Sequence, residues 1–198
     1  MNPGGKVAGL ILAAGESRRM GSPKALLEYR GETFLDNLIG SLSGFCSPVI
    51  VVLGHEAGTI RAGISRGREV RITVNGDYAL GQFSSMQCGM RAVPPKCAGV
   101  LFTLVDHPRV AASTLTALVA EPLPLLAIPR YEGRRGHPVF FSRELIPQFL
   151  DLPPGSDARV LIRRYAERTR YLDVADAGVV ADVDDPEAYR RLIAGATQ

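Results

Sequence analysis

Short apolar runs alternate with amphipathic stretches along most of the chain. Continuous apolar runs bounded by Gly or Pro are typical of buried strands. Five such runs occupy residues 7–14, 48–53, 70–74, 100–105 and 125–128, and residues 136–141 form a less regular sixth. The pattern therefore predicts a set of short strands that are buried on both faces.

The segments between these runs carry apolar residues at helical spacing, and several begin with a side chain suited to capping a helix. Thr33 precedes a helix through Phe34 and Leu42, Ser84 or Ser85 precedes one through Met86 and Met90, and Ser113 precedes one through Leu115 and Leu118. Asp185 followed by Pro186 predicts the start of a last helix, with Tyr189, Leu192 and Ile193 facing the core.

Strands that alternate with helices in this way predict an α/β fold, a three-layer α/β/α sandwich with a mostly parallel sheet. The 198 residues fit one domain, residues 1–198, by the usual size of a folding unit. Ligands of such sheets bind outside the carboxyl ends of the strands. We therefore expect the functional residues in the segments that directly follow the apolar runs.

Composition narrows the classes of function. No apolar run reaches the ~18 residues of a membrane span, and the three cysteines have neither disulfide-framework nor zinc-site spacing, which favours a cytoplasmic protein without a membrane partner. The formal charge is +3, and the basic pairs are short. Those at 163–164 and 190–191 fall on helical patterns and are interpreted as solvated faces. The remaining pairs, at 18–19 and 134–135, favour a small anionic ligand over a nucleic acid.

The segment after the first run, LAAGESRRMGSPK at residues 12–24, suits a triphosphate. Ala13, Ala14 and Gly15 are small enough for the backbone N–H groups to approach a ligand closely, while Arg19 and Lys24 supply positive charge. The segment lacks both the dinucleotide fingerprint and the Walker loop. The residues alone leave open an ordinary surface loop.

The segment also closely resembles the LAAG-x-S-x-RMG-x-x-K signature of the MobA/MocA-like nucleotidyltransferases, and in particular the molybdenum cofactor cytidylyltransferases. The resemblance continues in order through VIVVLGHE, GQFSSMQCGM, the Asp-x-Pro element at 106–108, GRRGHPVFF, GSDAR and DVDDPEAY. It implies a fold of the Rossmann-like nucleotide-diphospho-sugar transferase type and covers nearly the whole chain.

The resemblance also implies roles for individual residues. The backbone of Leu12, Ala13, Ala14 and Gly15 would contact base and ribose, and Ser85 would contact the nucleotide. Arg19 and Lys24 would hold the phosphates and act in catalysis with Asp106. Asp106 and Asp184 would be the ligands of Mg²⁺, the expected cofactor, and Gly136, His137 and Pro138 would contact the acceptor.

The residues themselves leave other roles open for several of these positions. Asp106 is also compatible with a turn or a helix cap, and Asp182 and Asp185 compete with Asp184. His137 between Gly and Pro also suits a packing residue, while His55 and His107 are weaker candidates. GSDAR departs from the family's Gly-Asp-x-Gly-Ala-Arg spacing, which puts an acceptor role of Asp157 in doubt.

The resemblance implies transfer of a nucleoside monophosphate to a phosphorylated acceptor, with release of pyrophosphate. Related proteins that use guanine tend to carry Gly where this chain has Ala14, which favours CTP, and molybdopterin is the favoured acceptor. One alternative is a cytidylyltransferase for a sugar or methylerythritol phosphate. Another is a non-catalytic nucleotide-binding chaperone of a molybdenum enzyme, and such an enzyme is also the expected partner protein.

Overall fold

Strand β1 (Val7–Ala13) lies inside the main sheet, and all seven of its residues are buried. The structure is a computed structural model and describes residues 5–67, 70–153 and 155–195. The other strands of this sheet are β4 (Val49–Leu53), β5 (Val70–Val74), β6 (Gly99–Leu104), β7 (Leu126–Tyr131), β8 (Arg134–Arg135), β9 (Val139–Ser142) and β10 (Thr169–Asp173). The strand order is β10-β7-β9-β6-β1-β4-β5, and β8 pairs with β7.

Strand β9 makes the sheet mixed rather than purely parallel. It pairs antiparallel with both β6 and β7, whereas β1, β4, β5 and β6 pair in parallel, as do β7 and β10. Two short strands, β2 (Glu28–Tyr29) and β3 (Glu32–Thr33), form a separate antiparallel hairpin. The predicted α/β fold with a mostly parallel sheet is confirmed.

Helices cover both faces of the sheet, so successive side chains of β1 enter two different cores. Ala8, Leu10 and Leu12 pack with helices α3 (Gln82–Arg91), α5 (Ile146–Asp151) and α6 (Arg159–Arg164). Val7, Ile11 and Ala13 pack with α1 (Phe34–Ser43), α2 (Ala57–Gly63) and α4 (Ala112–Leu118). Because both faces of β1 are buried, its sequence is an unbroken apolar run.

Two predicted helix caps are confirmed. The Thr33 side chain accepts a hydrogen bond from the backbone N–H of Asp36 at the start of α1. The Asp185 side chain accepts one from Ala188 at the start of α7 (Pro186–Ala194). Each satisfies a backbone donor that would otherwise lack a partner in the first helical turn. Along α7, Leu192 is buried and Tyr189 half-buried as expected, but Ile193 is exposed, contrary to the prediction.

The other predicted caps are wrong. Helix α3 begins at Gln82, with Gly81 at the cap position, because a φ of 103° there favours glycine. The oxygens of Ser84 and Ser85 instead accept hydrogen bonds from the Asn75 side chain. Helix α4 begins at Ala112 rather than after Ser113, and the distant Asp176 carboxylate accepts a hydrogen bond from the N–H of Ala111.

The predicted strands appear at or within a few residues of their expected bounds, except that the sixth run becomes β9, which starts at Val139 and not at 136. No helix in the described ranges is both long and apolar enough to cross a membrane. The parallel strands β1 and β6 pair along their length and end side by side, at Ala13 and Leu104. That shared edge carries the candidate site.

Candidate active site

The site is built where two neighbouring strands end. The LAAG segment leaves the carboxyl end of β1, and Asp106 lies two residues beyond the end of β6. A hydrogen bond of 3.1 Å from the N–H of Val105 to the carbonyl of Leu12 extends the pairing past the last residue of β6. The parallel register therefore brings the predicted nucleotide-binding backbone and the predicted metal ligand to one edge of the sheet.

Lys24 reaches back into this edge from the loop that follows the LAAG segment. Its backbone N–H donates to the Ser17 hydroxyl over 3.1 Å, and a short 3-10 helix, Lys24–Leu26, begins at the residue itself. Only 12% of the Lys24 side chain is exposed. Its Nζ lies 2.5 Å from Asp184 Oδ1 and 3.4 Å from Asp106 Oδ2. One ammonium group thus joins two carboxylates that are far apart in the sequence.

Asp184 differs from the neighbouring aspartates that competed with it. The backbone N–H of Val183 donates to the carbonyl of Asp106 over 3.0 Å, which ties the two segments together. Asp184 also accepts a 2.8 Å hydrogen bond from Arg19. The bond from Lys24, and then the charges of Lys24 and Arg19, lower the pKa of Asp184 below its usual value. Asp185 caps α7 instead, and Asp182 is exposed.

A cleft of about 280 Å³ opens beside these charged groups. Six of the residues predicted to bind the nucleotide line it: Leu12, Ala13, Ala14, Gly15, Lys24 and Ser85. Asp106 lines the same cleft, whereas Asp184 and Arg19 lie outside its lining. Asp184 is joined to the cleft through its ion pair with Lys24, and Arg19 contacts Asp184. The Ser85 oxygen accepts a 2.9 Å hydrogen bond from Asn75, which fixes the side chain at the wall.

A second cleft of about 760 Å³ adjoins the first, and the two share Gly81, Gln82 and Leu104. Of the residues predicted to contact the acceptor, Gly136 and His137 line this second cleft. Pro138 is buried and lines neither cleft, so the geometry gives no support to its predicted contact. Asp157 lines the second cleft, where its carboxylate is paired with Arg159 at 2.5 Å.

Two histidine rings pack against each other at the wall of the second cleft, which His137 lines. The centroids of His107 and His137 are 5.0 Å apart, and Phe102 lies 5.5 Å from His137. Burial, together with the smaller effect of the neighbouring His107, lowers the pKa of His137 to about 3. Burial also lowers the pKa of His107, against the opposing effect of Asp106. His137 is therefore a neutral wall of the second cleft near neutral pH.

The residues at this edge suit a magnesium ion. Asp106 Oδ1 is buried and has no hydrogen-bond partner within the described residues, so one carboxylate oxygen remains available. In the same ranges no cluster of three or more His, Cys, Asp or Glu side chains is present. A pair of carboxylates is nevertheless the donor set that Mg²⁺ commonly uses, since it takes its remaining ligands from phosphates and water.

Several residues around the clefts went unrecognised in the sequence. Tyr78 lines the first cleft, where its hydroxyl lies 3.3 Å from His55 Nδ1. Arg135 and Arg163 line the second. The pair at 134–135 was attributed to a small anionic ligand, whereas the pair at 163–164 was interpreted as a solvated face. Arg163 is exposed, as expected, but it also borders the cleft. A signal for Tyr78 was available in its position just before the motif that begins at Gly81, whereas Arg163 carried none.

Comparisons with known proteins agree with this arrangement. Residues 9–169 match the family described as the MobA-like NTP transferase domain. Nicotine blue oxidoreductase of Paenarthrobacter nicotinovorans is 34% identical, and the alignment covers 94% of this chain and 96% of that protein. Molybdenum cofactor cytidylyltransferase of Escherichia coli K12 is 25% identical, with 91% and 92% covered.

A similar structure has also been solved. Rv0371c from Mycobacterium tuberculosis H37Rv is 30% identical and superposes with a TM-score of 0.81, over 96% of this chain and 98% of that one. A structure of the same protein in complex with manganese superposes with a TM-score of 0.76, over 96% and 98% of the two chains. The similarity therefore extends to a protein that binds a divalent metal.

Proposed function

We propose that this chain, which belongs to the MobA-like NTP transferase family, transfers CMP from CTP to a phosphorylated acceptor, with molybdopterin favoured, and releases pyrophosphate. The family predicted from the sequence is confirmed by the match over residues 9–169. The observation that carries the proposal is the convergence of Lys24, Asp106 and Asp184 beside the LAAG backbone. Ala14 and the cytidylyltransferase relative support the choice of CTP.

The reaction divides between the two clefts. The nucleotide occupies the smaller cleft, with its base and ribose against residues 12–15 and Ser85, and the acceptor occupies the larger one. An oxygen of the acceptor phosphate attacks the α-phosphorus, so that a new P–O bond forms. The bond from the α-phosphorus to the bridging oxygen breaks, and its electron pair leaves with pyrophosphate. A phosphate oxygen is already ionised near neutral pH, so the step needs no general base.

The side chains of the site act mainly by positioning and charge. Lys24 and Arg19 stabilise the negative charge that grows on the leaving pyrophosphate. Asp106 and Asp184 would hold Mg²⁺, which when bound offsets triphosphate charge and orients the phosphates. The apolar wall of the larger cleft excludes water, which would otherwise compete with the acceptor as nucleophile.

Three other functions compete with this one. The 34% identity to nicotine blue oxidoreductase favours an oxidoreductase as the second candidate, but the LAAG segment lacks the dinucleotide fingerprint. A sugar or methylerythritol phosphate as acceptor keeps the same chemistry with a different second substrate. A nucleotide-binding chaperone of a molybdenum enzyme would bind CTP without releasing pyrophosphate.

Pyrophosphate release separates these functions. The purified chain is incubated with Mg²⁺ and CTP, GTP or ATP, with molybdopterin, a sugar phosphate or methylerythritol phosphate as acceptor. We expect release with CTP and molybdopterin, and at least about 100-fold slower release from Asp106→Asn. We expect Ala14→Gly to relax the preference for CTP over GTP by about 1–3 kcal/mol, the effect of one methyl-sized difference in a pocket. Oxidation of a reduced nicotinamide dinucleotide by an organic dye, without pyrophosphate release, would establish the oxidoreductase instead.

A further inference from the structure

We propose that the acceptor carries a second anionic group, remote from the phosphate that attacks, and that Arg135 and Arg163 bind this group at the rim of the larger cleft. The inference rests on the proposed function and specifies the chemical class of its acceptor. Both arginines line the larger cleft, and neither lines the nucleotide cleft. They therefore lie on the acceptor side of the site.

The floor of the larger cleft is apolar. It is lined by the side chains of Phe83, Met86, Phe102, Val139, Phe141 and Ile162. A polyhydroxylated chain would lose its hydrogen bonds to water on such a floor, whereas a flat heterocyclic body would bury apolar surface there. The volume of about 760 Å³ lies within the range that drug-sized ligands fill. The floor thus favours a ring system over a sugar or a polyol.

Arg135 is positioned at the rim without being neutralised. Its guanidinium carbon lies 5.1 Å from the centre of the Tyr171 ring, and the guanidinium of Arg130 lies at the same distance from that ring. Arg130 is held by two hydrogen bonds to Asp173, of 3.0 and 2.8 Å. Within the described residues Arg135 itself has no carboxylate within ion-pair distance. Stacking on Tyr171 orients its charge and leaves its hydrogen-bond donors available.

Arg163 comes to the same rim from helix α6. Arg159 and Arg163 are one helical turn apart, and both line the cleft together with Ile162. Arg159 is paired with Asp157, whose pKa is lowered mainly by that bond, so its charge is offset. Arg163 forms no ion pair in the part of the chain that the structure describes.

The charge of the cleft agrees with this assignment. Three arginines and one aspartate line it, and His137 is neutral, so the formal charge is +2. The phosphate that attacks must lie at the junction of the two clefts, near Gly81, Gln82 and Asp106. An acceptor with a single phosphate would leave the charge of the rim uncompensated. An acceptor with a second anionic group would offset it and would place its ring on the apolar floor.

The test removes each charge and keeps the length of the side chain. Arg135→Met and Arg163→Met are compared with Arg134→Met and Arg164→Met, exposed neighbours that do not line the cleft. The probe is 1-anilinonaphthalene-8-sulfonate, an aromatic body with one anionic group, and its neutral counterpart is N-phenyl-1-naphthylamine. We expect each rim variant to weaken sulfonate binding about five- to tenfold and to leave binding of the neutral probe unchanged.

Kinetics with molybdopterin give the second measurement. The KM for molybdopterin should rise about tenfold in each rim variant, with kcat and the KM for CTP unchanged, because the second group does not react. Equal probe binding in the rim and control variants, or a fall in kcat without a rise in KM, would overturn the inference. Failure to bind CTP would refute the proposed function instead, and the probe comparison would still report on the rim.

Discussion

Lys24 Nζ lies 2.5 Å from Asp184 Oδ1, which places a lysine ammonium between the two carboxylates that we propose hold the metal. Two cations, Lys24 and Arg19, offset the two anions, Asp106 and Asp184. These four side chains together carry no net charge. A bare divalent ion would therefore gain little by binding among them and would have to displace Lys24. A metal–CTP complex carries net negative charge and offers Lys24 new phosphate partners. The metal and the nucleotide should consequently bind together.

Removing the ammonium should make the free protein a better metal site. We expect Lys24→Met to bind Mn²⁺ in the absence of nucleotide at least about tenfold more tightly than the wild type, because a repelling unit charge is lost. Electron paramagnetic resonance of unbound Mn²⁺ measures this directly. The exposed Lys96→Met serves as the control and should match the wild type. An unchanged or weaker affinity in Lys24→Met would show that Lys24 does not compete with the metal.

Replacing Asp106 or Asp184 should reduce turnover, whereas replacing Asp182 should not. Asp106→Asn keeps the shape of the side chain but removes its charge, and we expect turnover to fall at least about 100-fold, as for the loss of a preorganised electrostatic group. Asp184→Asn should fall similarly, since it also releases Lys24 and Arg19. Asp182→Asn is the matched control, because Asp182 is exposed and should keep nearly full activity. Equal losses in all three variants would argue against a specific pair of metal ligands.

The neutral state of His137 should make stability depend on pH. Its folded pKa of about 3 lies below the usual value in an unfolded chain, about 6.5, so the unfolded state binds the extra proton between these limits. The stabilisation that neutral His137 gives to the folded state is therefore complete above pH 6.5 and is lost as the pH falls towards 3. One such proton changes the free energy of unfolding by about 1.4 kcal/mol per pH unit, or about 2 kcal/mol between pH 6.5 and 5.

Urea unfolding at several pH values measures this effect. The wild type should lose about 2 kcal/mol more than His137→Leu between pH 7.5 and 5, because leucine has no proton to take up. His107 remains in both proteins, so its own contribution to the pH dependence is largely shared. Parallel losses in the two proteins would mean that His137 is protonated in the folded state.

The sequence predicted some parts of this molecule well for a physical reason. Strands β1, β4 and β6 are buried on both faces, so each reads as a continuous apolar run between turn residues. The two edge strands are only half-buried or exposed, but β5 still carries three β-branched apolar residues, whereas β10, with the sequence TRYLD, has no apolar run and was not predicted. The start of α3 was misplaced because its cap is a glycine with positive φ, which offers no side-chain signal.

The same contrast applies to the site. The LAAG segment, Lys24 and Asp106 belong to motifs of the chain itself, so they could be named before their positions were known. Arg135 also belongs to a motif, GRRGHPVFF, but its place beside the same cleft as Arg163 comes only from the fold, since strand β8 and helix α6 bring the two residues there. The pair at 163–164 falls on a helical pattern and was interpreted as solvated surface, because a cavity shared with a distant segment leaves no local signal.

Glycine at position 54 sets the shape of the nucleotide cleft. A Cβ there would lie 2.7 Å from Tyr78 Cβ and 2.8 Å from the carbonyl oxygen of Ala14, and both residues line that cleft. Gly54→Ala must therefore push the wall apart. We expect it to lower the free energy of unfolding by about 1–3 kcal/mol, the usual cost of overpacking, and to weaken CTP binding. Urea unfolding and calorimetric titration with a non-hydrolysable CTP analogue measure the two effects.

Gly58 provides the matched control within the same chain. It lies in helix α2, and apart from its chain neighbours and the backbone of that helix, no described atom lies within 4 Å of the position that its Cβ would occupy. Because alanine favours a helix over glycine by up to about 1 kcal/mol, Gly58→Ala should stabilise the protein slightly and leave CTP affinity unchanged. A loss of stability in Gly54→Ala with unchanged CTP affinity would mean that Tyr78 and Ala14 do not contact the nucleotide. A loss of CTP affinity in both variants would place the base near α2 rather than against Tyr78.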